Sequence, residues 1–231
     1  MTIAALYIFL ALLFTVASWL APYWLLKLLL AWVALSLFVV SSAYWLNTAS
    51  VFRKRSDGSI PWYSYWLFIP FLLGSRLYNH WARKYDSVPP MQRIDEHLYL
   101  GCRLFSADLE TIKANKITAI LDVTAEFDGL DWSQFEDHIE YLNIPILDHS
   151  VPTSAQLNQA VNWLHRQVRA NKQVLIHCAM GRGRSVLVLA AYLVCKDKQQ
   201  HFAEVLRQIK QIRKTAGLNK WQLRALDRML S

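Results

Sequence analysis

Apolar residues run from Ile3 to Leu20 without a charge, and again over residues 25–46 with Lys27 as the one charged side chain. At about 1.5 Å per residue, either run could cross a hydrocarbon core of about 30 Å as a helix. Ala21-Pro22-Tyr23-Trp24 lies between them. Pro22 interrupts a continuous helix, and Trp19, Tyr23 and Trp24 suit the headgroup level of a bilayer. The pattern predicts a transmembrane helical hairpin over residues 1–50. A cleaved signal peptide fits less well, because there is no basic n-region and a second apolar run follows at once.

The next apolar stretch, residues 60–73, is shorter and is punctuated by Pro61 and Pro70. As a helix it would span roughly 21 Å. Trp62, Tyr63, Tyr65 and Trp66 are headgroup-level residues, and basic residues flank both ends. An interfacial or re-entrant segment is expected; the alternative is a third span, which would put the rest of the chain on the other side. Ser87-Val88-Pro89-Pro90 has the character of a linker, so residues 51–90 form a connecting segment and a globular domain occupies 91–231.

Within that domain the periodicity changes. Residues 97–100, 119–124, 140–146 and 173–177 are short β-rich apolar runs of the kind that make buried strands. Residues 107–115 fit a short helix. Leu157, Ala160, Val161, Leu164 and Val168 recur at helical spacing. Residues 184–195 predict an apolar helix and 201–214 an amphipathic one. Strands alternating with helices give an α/β domain whose central, mostly parallel sheet is flanked by helices.

Charge is unevenly placed. The net charge is +8, and residues 51–90 carry +4 of it: Arg53, Lys54, Arg55, Arg76, Arg83 and Lys84 against Asp57 and Asp86. A basic excess beside the hairpin suits anionic membrane lipids and, by the positive-inside rule, a cytoplasmic face. No basic run with interleaved aromatics occurs in the globular part, which argues against nucleic acid. Cys102, Cys178 and Cys195 are odd in number and fit no zinc spacing, and His138, His149 and His201 form no ligand pattern, so neither a metal nor a cofactor is expected. The cysteine usage suits a reducing compartment.

The chemistry concentrates in His177-Cys178-Ala179-Met180-Gly181-Arg182-Gly183-Arg184-Ser185, between a predicted strand and a predicted helix. A helix N-terminus offers unpaired N–H groups and a positive potential. Gly181 and Gly183 let the backbone curl into an anion-binding nest over residues 179–184. Arg184 adds a two-pronged donor suited to phosphate, and the same potential favours the thiolate of Cys178. A thiolate facing a bound phosphate is a nucleophile for phosphoryl transfer.

This run resembles the H-C-x-x-G-x-x-R-[ST] signature of the protein tyrosine phosphatase superfamily. Residues 94–101 and 117–124, and the ending from Ile212-Arg213 to Trp221-Gln222-Leu223, resemble its dual-specificity branch, although Asp122 stands where that branch often has Asn. The resemblance covers about residues 93–230. It implies that Cys178 forms a phosphocysteine, that Arg184 and the amides of Ala179, Met180, Gly181, Arg182 and Gly183 hold the phosphate, that Ser185 assists the sulfur's departure, and that His177 orients the loop. It also implies a general acid about thirty residues before the cysteine. Asp148 stands there; Asp128, Asp131 and Asp137 are the alternatives. Cys195 is expected in the core, and Cys102 has a minor candidacy as a resolving thiol.

The resulting expectation is a membrane-anchored phosphatase acting on a phospholipid headgroup or a phosphoprotein. A protein phosphatase for membrane-proximal targets and a non-catalytic phosphate-binding module are the alternatives. A rhodanese-like sulfur transferase also uses a cysteine loop, but Arg184-Ser185 and Asp148 favour phosphate.

Overall fold

A computed structural model describes residues 3–130, 139–197 and 201–230. Two helices, α1 (Ile3–Leu20) and α2 (Trp24–Trp45), open the chain. Ser41 Oγ donates to Ala4 O at 2.9 Å and Ser18 Oγ to Lys27 O at 2.8 Å, so the start of one helix meets the end of the other in an antiparallel hairpin. By length and composition both could cross a membrane, and among the described residues they are the two helices that could.

Residues 60–73 do not form a broken segment. From Trp62 on they belong to α3 (Trp62–Lys84), which starts just after Pro61 and continues through Pro70. Proline removes one N–H from the helical ladder and usually kinks or ends a helix. Here packing outweighs that cost: Phe68, Phe71 and Leu72 are buried, while Trp62, Trp66 and Trp81 remain exposed.

The sheet has five strands: β1 (Met91–Arg93), β2 (Leu98–Gly101), β3 (Ile117–Thr124), β4 (Glu140–Ile146) and β5 (Gln173–His177). Their order is β1-β2-β5-β3-β4, with β1 antiparallel to β2 and the other pairings parallel. Five further helices complete the fold as described: α4 (Leu109–Ala114), α5 (Ser154–Arg169), α6 (Arg184–Lys196), α7 (Phe202–Ile212) and α8 (Lys220–Leu230).

Alternation along the strands sorts residues between the faces. Leu98, Leu100, Ala119, Leu121, Val174 and Ile176 pack with α5 and α6. Tyr99, Ile120 and Leu175 point the other way, against Ile112 of α4. The helix predicted from Leu157, Ala160, Val161 and Leu164 buries those four residues and half-buries Val168. Cys195 is exposed rather than in the core, because burial along α6 ends with Tyr192 and the last turn emerges from the sheet.

A third apolar cluster joins the two halves of the chain. Val40, Phe52, Phe68 and Phe71 pack against Ala125, Phe127, Leu147 and Ala179, which follow the C-terminal ends of β3, β4 and β5. The N-terminal helices therefore cover the sheet edge at which open α/β sheets place their ligands. Burying a side chain as large as Phe is worth about 1.5–3 kcal/mol. Removal of residues 1–90 should accordingly expose this patch, lower the thermal midpoint and promote aggregation, as read by melting curves and light scattering of both chains in the same detergent.

Candidate active site

The loop from Ala179 to Gly183 leaves the end of β5, the middle strand, and leads into α6. Its five carbonyls are all held. Ala179 O accepts from Arg103 N at 3.0 Å, Arg182 O from Gly217 N at 2.8 Å, and Gly183 O from Leu187 N at 2.8 Å. Arg213 binds the other two, donating from Nη2 to Met180 O at 3.2 Å and from Nε to Gly181 O at 2.8 Å. Among the described residues, no amide of residues 179–183 donates a hydrogen bond. Held carbonyls and free amides at a helix start form an anion nest.

Gly181 makes the curl possible. Its φ is +64°, and a Cβ would lie 2.6 Å from Gly101 O. Gly183 plays a lesser part than expected: its φ is −122° and the nearest atom to a Cβ would be 4.0 Å away.

Cys178 sits at the lip of this loop, buried, and Ser185 Oγ donates to its Sγ at 3.2 Å. Arg184 is fully enclosed. Its Nη1 and Nη2 donate to Glu126 Oε2 and Oε1 at 2.8 and 2.7 Å, and Nη1 also reaches Ile146 O at 2.8 Å. Burial opposes the guanidinium charge, but Glu126 and then Asp148 outweigh it and push the arginine further toward its charged form. Nε makes no hydrogen bond and lies 3.3 Å from Asp148 Oδ1. Asp148 is half-exposed at the cleft, with His149 Nε2 3.6 Å from its other oxygen.

The structure thus brings Cys178, Arg184, Asp148 and Ser185 together. His177 lies behind the loop, buried on the α4 face. Burial pushes its imidazole down, and Asp122 partly offsets this. Arg182 lines the cleft, and its side chain is paired with Asp86 at 3.0 Å. Asp128 is engaged by Arg76 and Arg103 at 3.1 and 2.7 Å. Asp131, Asp137 and His138 lie outside the described residues. Cys102 is buried, and burial pushes its thiol up, which disfavours attack on another sulfur.

Two residues in the site were missed from sequence, Glu126 and Arg213. Glu126 follows the strand that ends in Thr124 with one residue between, the position from which a side chain reaches over the sheet edge. Arg213 was noted within a matching segment but given no role.

The cleft over the loop measures about 630 Å³, within the range usual for small-molecule sites. It is lined by Cys178, Met180 and Gly183 together with Leu6 and Tyr7 of α1, Leu37 of α2 and Phe71 of α3.

The dual specificity phosphatase catalytic domain family matches residues 98–229, more than half of the chain. The chain belongs to the dual-specificity phosphatases. It is 33% identical over 139 residues to human protein phosphatase Slingshot homolog 3, covering 58% of this chain and 20% of that relative. It is 27% identical over 140 residues to phosphatidylglycerophosphate phosphatase PTPMT2 of Arabidopsis thaliana, covering 58% and 60%. The chain therefore spans less than two thirds of the length of these relatives. Among solved structures, PTPMT1 in complex with PI(5)P superposes with a TM-score of 0.56 at 21% identity, covering 62% of this chain and 95% of that one. DUSP15 gives 0.53 at 27%, covering 61% and 86%.

In this dual-specificity phosphatase, a methyl group at position 181 would push the loop off Gly101 O. Gly181→Ala should lower turnover of an aryl phosphate by about 100-fold or more, the loss expected when reacting groups shift by about 1 Å. Steady-state kinetics on folded protein would measure it.

Proposed function

We propose that this phosphatase is membrane-anchored, that it hydrolyses phosphate monoesters through a phosphocysteine, and that its substrate is a phospholipid headgroup. Residues 1–50 are its transmembrane hairpin, 51–90 its interfacial segment and 91–231 its phosphatase domain, which faces the cytoplasm. The observation that carries the lipid reading is the lining of the cleft: the catalytic loop shares it with apolar residues of α1, α2 and α3. A phosphate on the nest would leave its substituent against Leu6, Tyr7, Leu37 and Phe71. The name of the Arabidopsis relative and the PI(5)P complex of PTPMT1 point the same way.

In the mechanism, the Cys178 thiolate attacks phosphorus. A P–S bond forms, the ester P–O bond breaks, and Asp148 gives its proton to the leaving oxygen. Arg184 and the amides of residues 179–184 hold the remaining oxygens, where negative charge concentrates. Water then attacks the phosphocysteine. Asp148 takes the water's proton, the P–S bond breaks, and Ser185 Oγ–H stabilises the departing thiolate. The products are the alcohol and inorganic phosphate. Asp148→Asn should slow alkyl phosphates about 100-fold or more and activated aryl phosphates much less. A comparison of kcat for the two classes would check this; equal slowing would remove Asp148 from the acid role.

A second reading has its own support. Positions 179 and 180 are Ala and Met, and Arg182 is already paired with Asp86, so the loop holds few spare cations for a polyanionic headgroup. That arrangement suits phosphoproteins at the membrane, which the tether would favour equally through effective concentration. The deciding assay compares a phosphatidyl phosphate monoester in mixed micelles with a phosphotyrosyl peptide, using Cys178→Ser as the blank. Higher kcat/KM on the lipid is expected; a clear preference for the peptide would reverse the order.

A further inference from the structure

Lys54 lies in the basic turn after the hairpin, where a headgroup-facing side chain is expected. It points inward instead. Its side chain has 0% exposure, and Asp122, its partner, has 1%. Nζ donates to Asp122 Oδ2 at 2.6 Å, and to Thr124 O and Thr124 Oγ1 at 3.0 Å each, which uses all three of its donors. Asp122 is saturated in turn. Oδ1 accepts from Thr124 N and Oγ1 at 2.8 and 2.7 Å, and Oδ2 also accepts from Tyr141 OH at 2.8 Å.

This cluster sits directly behind the catalytic loop. Asp122 and His177 are register partners on β3 and β5, and His177 Nε2 lies 3.9 Å from Asp122 Oδ2. Neither ring nitrogen of His177 has a hydrogen-bond partner in the described structure. The next residue is Cys178. Burial opposes the charge on Asp122, but Lys54 and then His177 hold its carboxyl well below the usual carboxylate range.

The turn that carries Lys54 is docked, not draped. Phe52 is buried against Phe68. Asn143 Nδ2 donates to Arg55 O at 3.2 Å, and Gly129 N to Gly58 O at 2.9 Å. Arg53 is held at φ +55°, a conformation that persists for a non-glycine residue only when its surroundings over-determine it. Arg76–Asp128, Arg83–Asp108 and Asp86–Arg182 add three more ion pairs between residues 51–90 and the phosphatase domain.

We infer that Lys54 is a positioning residue for the catalytic loop, and that the membrane-proximal turn thereby supplies a buried part of the catalytic unit. Lys54 supplies the countercharge to Asp122. Without it, a buried carboxylate would face the unpartnered imidazole of His177 and draw it out of place, one residue from the nucleophile. A neutral Asn at 122, close in shape to Asp, would need no countercharge, so Lys54 and Asp122 act as a matched pair. This rests on the phosphatase reading of the loop at 178–184.

The test uses the full chain in detergent and a soluble aryl phosphate, which makes no demand on lipid binding. Lys54→Met should lower kcat by about tenfold or more at a temperature well below its own melting point. Lys54→Met/Asp122→Asn should recover most of the wild-type kcat. An unchanged kcat in Lys54→Met, or a folded double variant as slow as the single one, overturns the inference. If Lys54→Met fails to fold, the double variant decides: folded and active supports the matched pair, folded and inactive or unfolded overturns it. Wild-type protein that melts cooperatively but does not hydrolyse the aryl phosphate overturns the phosphatase reading along with the inference, which separates the two failures.

Discussion

Keeping the amides of residues 179–183 free of protein acceptors requires every carbonyl of the same loop to be held from outside. An irregular buried loop normally satisfies its own backbone groups. Here Leu187, in the first turn of α6, holds Gly183 O, and the other donors come from Arg103, Arg213 and Gly217, more than thirty residues in sequence from the carbonyls they hold. The loop thus depends on the turn after β2, the start of α6 and the stretch between α7 and α8. The whole domain has to assemble before the nest exists, and the α7–α8 connection contributes to it although it lies far along the chain from the cysteine.

The second demand is electrostatic. Arg184 has no exposure, and an unpaired guanidinium there would cost several kcal/mol. Glu126 meets it with a two-pronged bond, which fixes the plane of the guanidinium while leaving Nε without a hydrogen bond on the side of Asp148. The same logic is repeated one strand layer back, where Lys54 meets Asp122. Both pairs lie at the C-terminal edge of the sheet, so the region that must bind an anion is framed by buried, compensated charges and not by a field of free cations.

Much of this was legible in the sequence, and the remainder was not for a definite reason. β4 and β5 fall on the residues where short β-rich apolar runs predict buried strands, and Cys178, Arg184 and Ser185 lie within a few residues of one another at a strand–helix junction, so local pattern suffices. Asp148 could be found because the family resemblance asks for an acid about thirty residues before the cysteine, and Asp148 stands there. Glu126 and Lys54 could not. Their partners are 58 and 68 residues away, and a side chain engaged in a long-range ion pair leaves no periodic mark. Asp122 did leave one: an acid where the dual-specificity branch often has an amide signals that a countercharge has to come from somewhere. The same limit applies to α3. Pro70 reads as a breaker because the sequence does not show Phe68, Phe71 and Leu72 packed against Phe127 and Leu147.

The basic excess of residues 51–90 takes on a different meaning once its partners are known. Lys54, Arg76 and Arg83 are committed to Asp122, Asp128 and Asp108, leaving Arg53 and Arg55 as the exposed charges of the turn. Charge composition alone assigned all of them to lipid headgroups; geometry assigns half of the six basic residues in that segment to holding the phosphatase domain. A flexible tether would let the domain sample many orientations over a membrane. On the membrane-anchored reading proposed above, a tether pinned by ion pairs and by a shared apolar cluster would fix one, with residues from the first turns of α1 and the last turns of α2 lining the cleft. Orientation of that kind would matter little for a soluble phosphopeptide and a great deal for a phosphate whose distance from a bilayer is set by its own acyl chains, so on the proposed reading the docking of residues 1–90 bears on substrate as much as on stability.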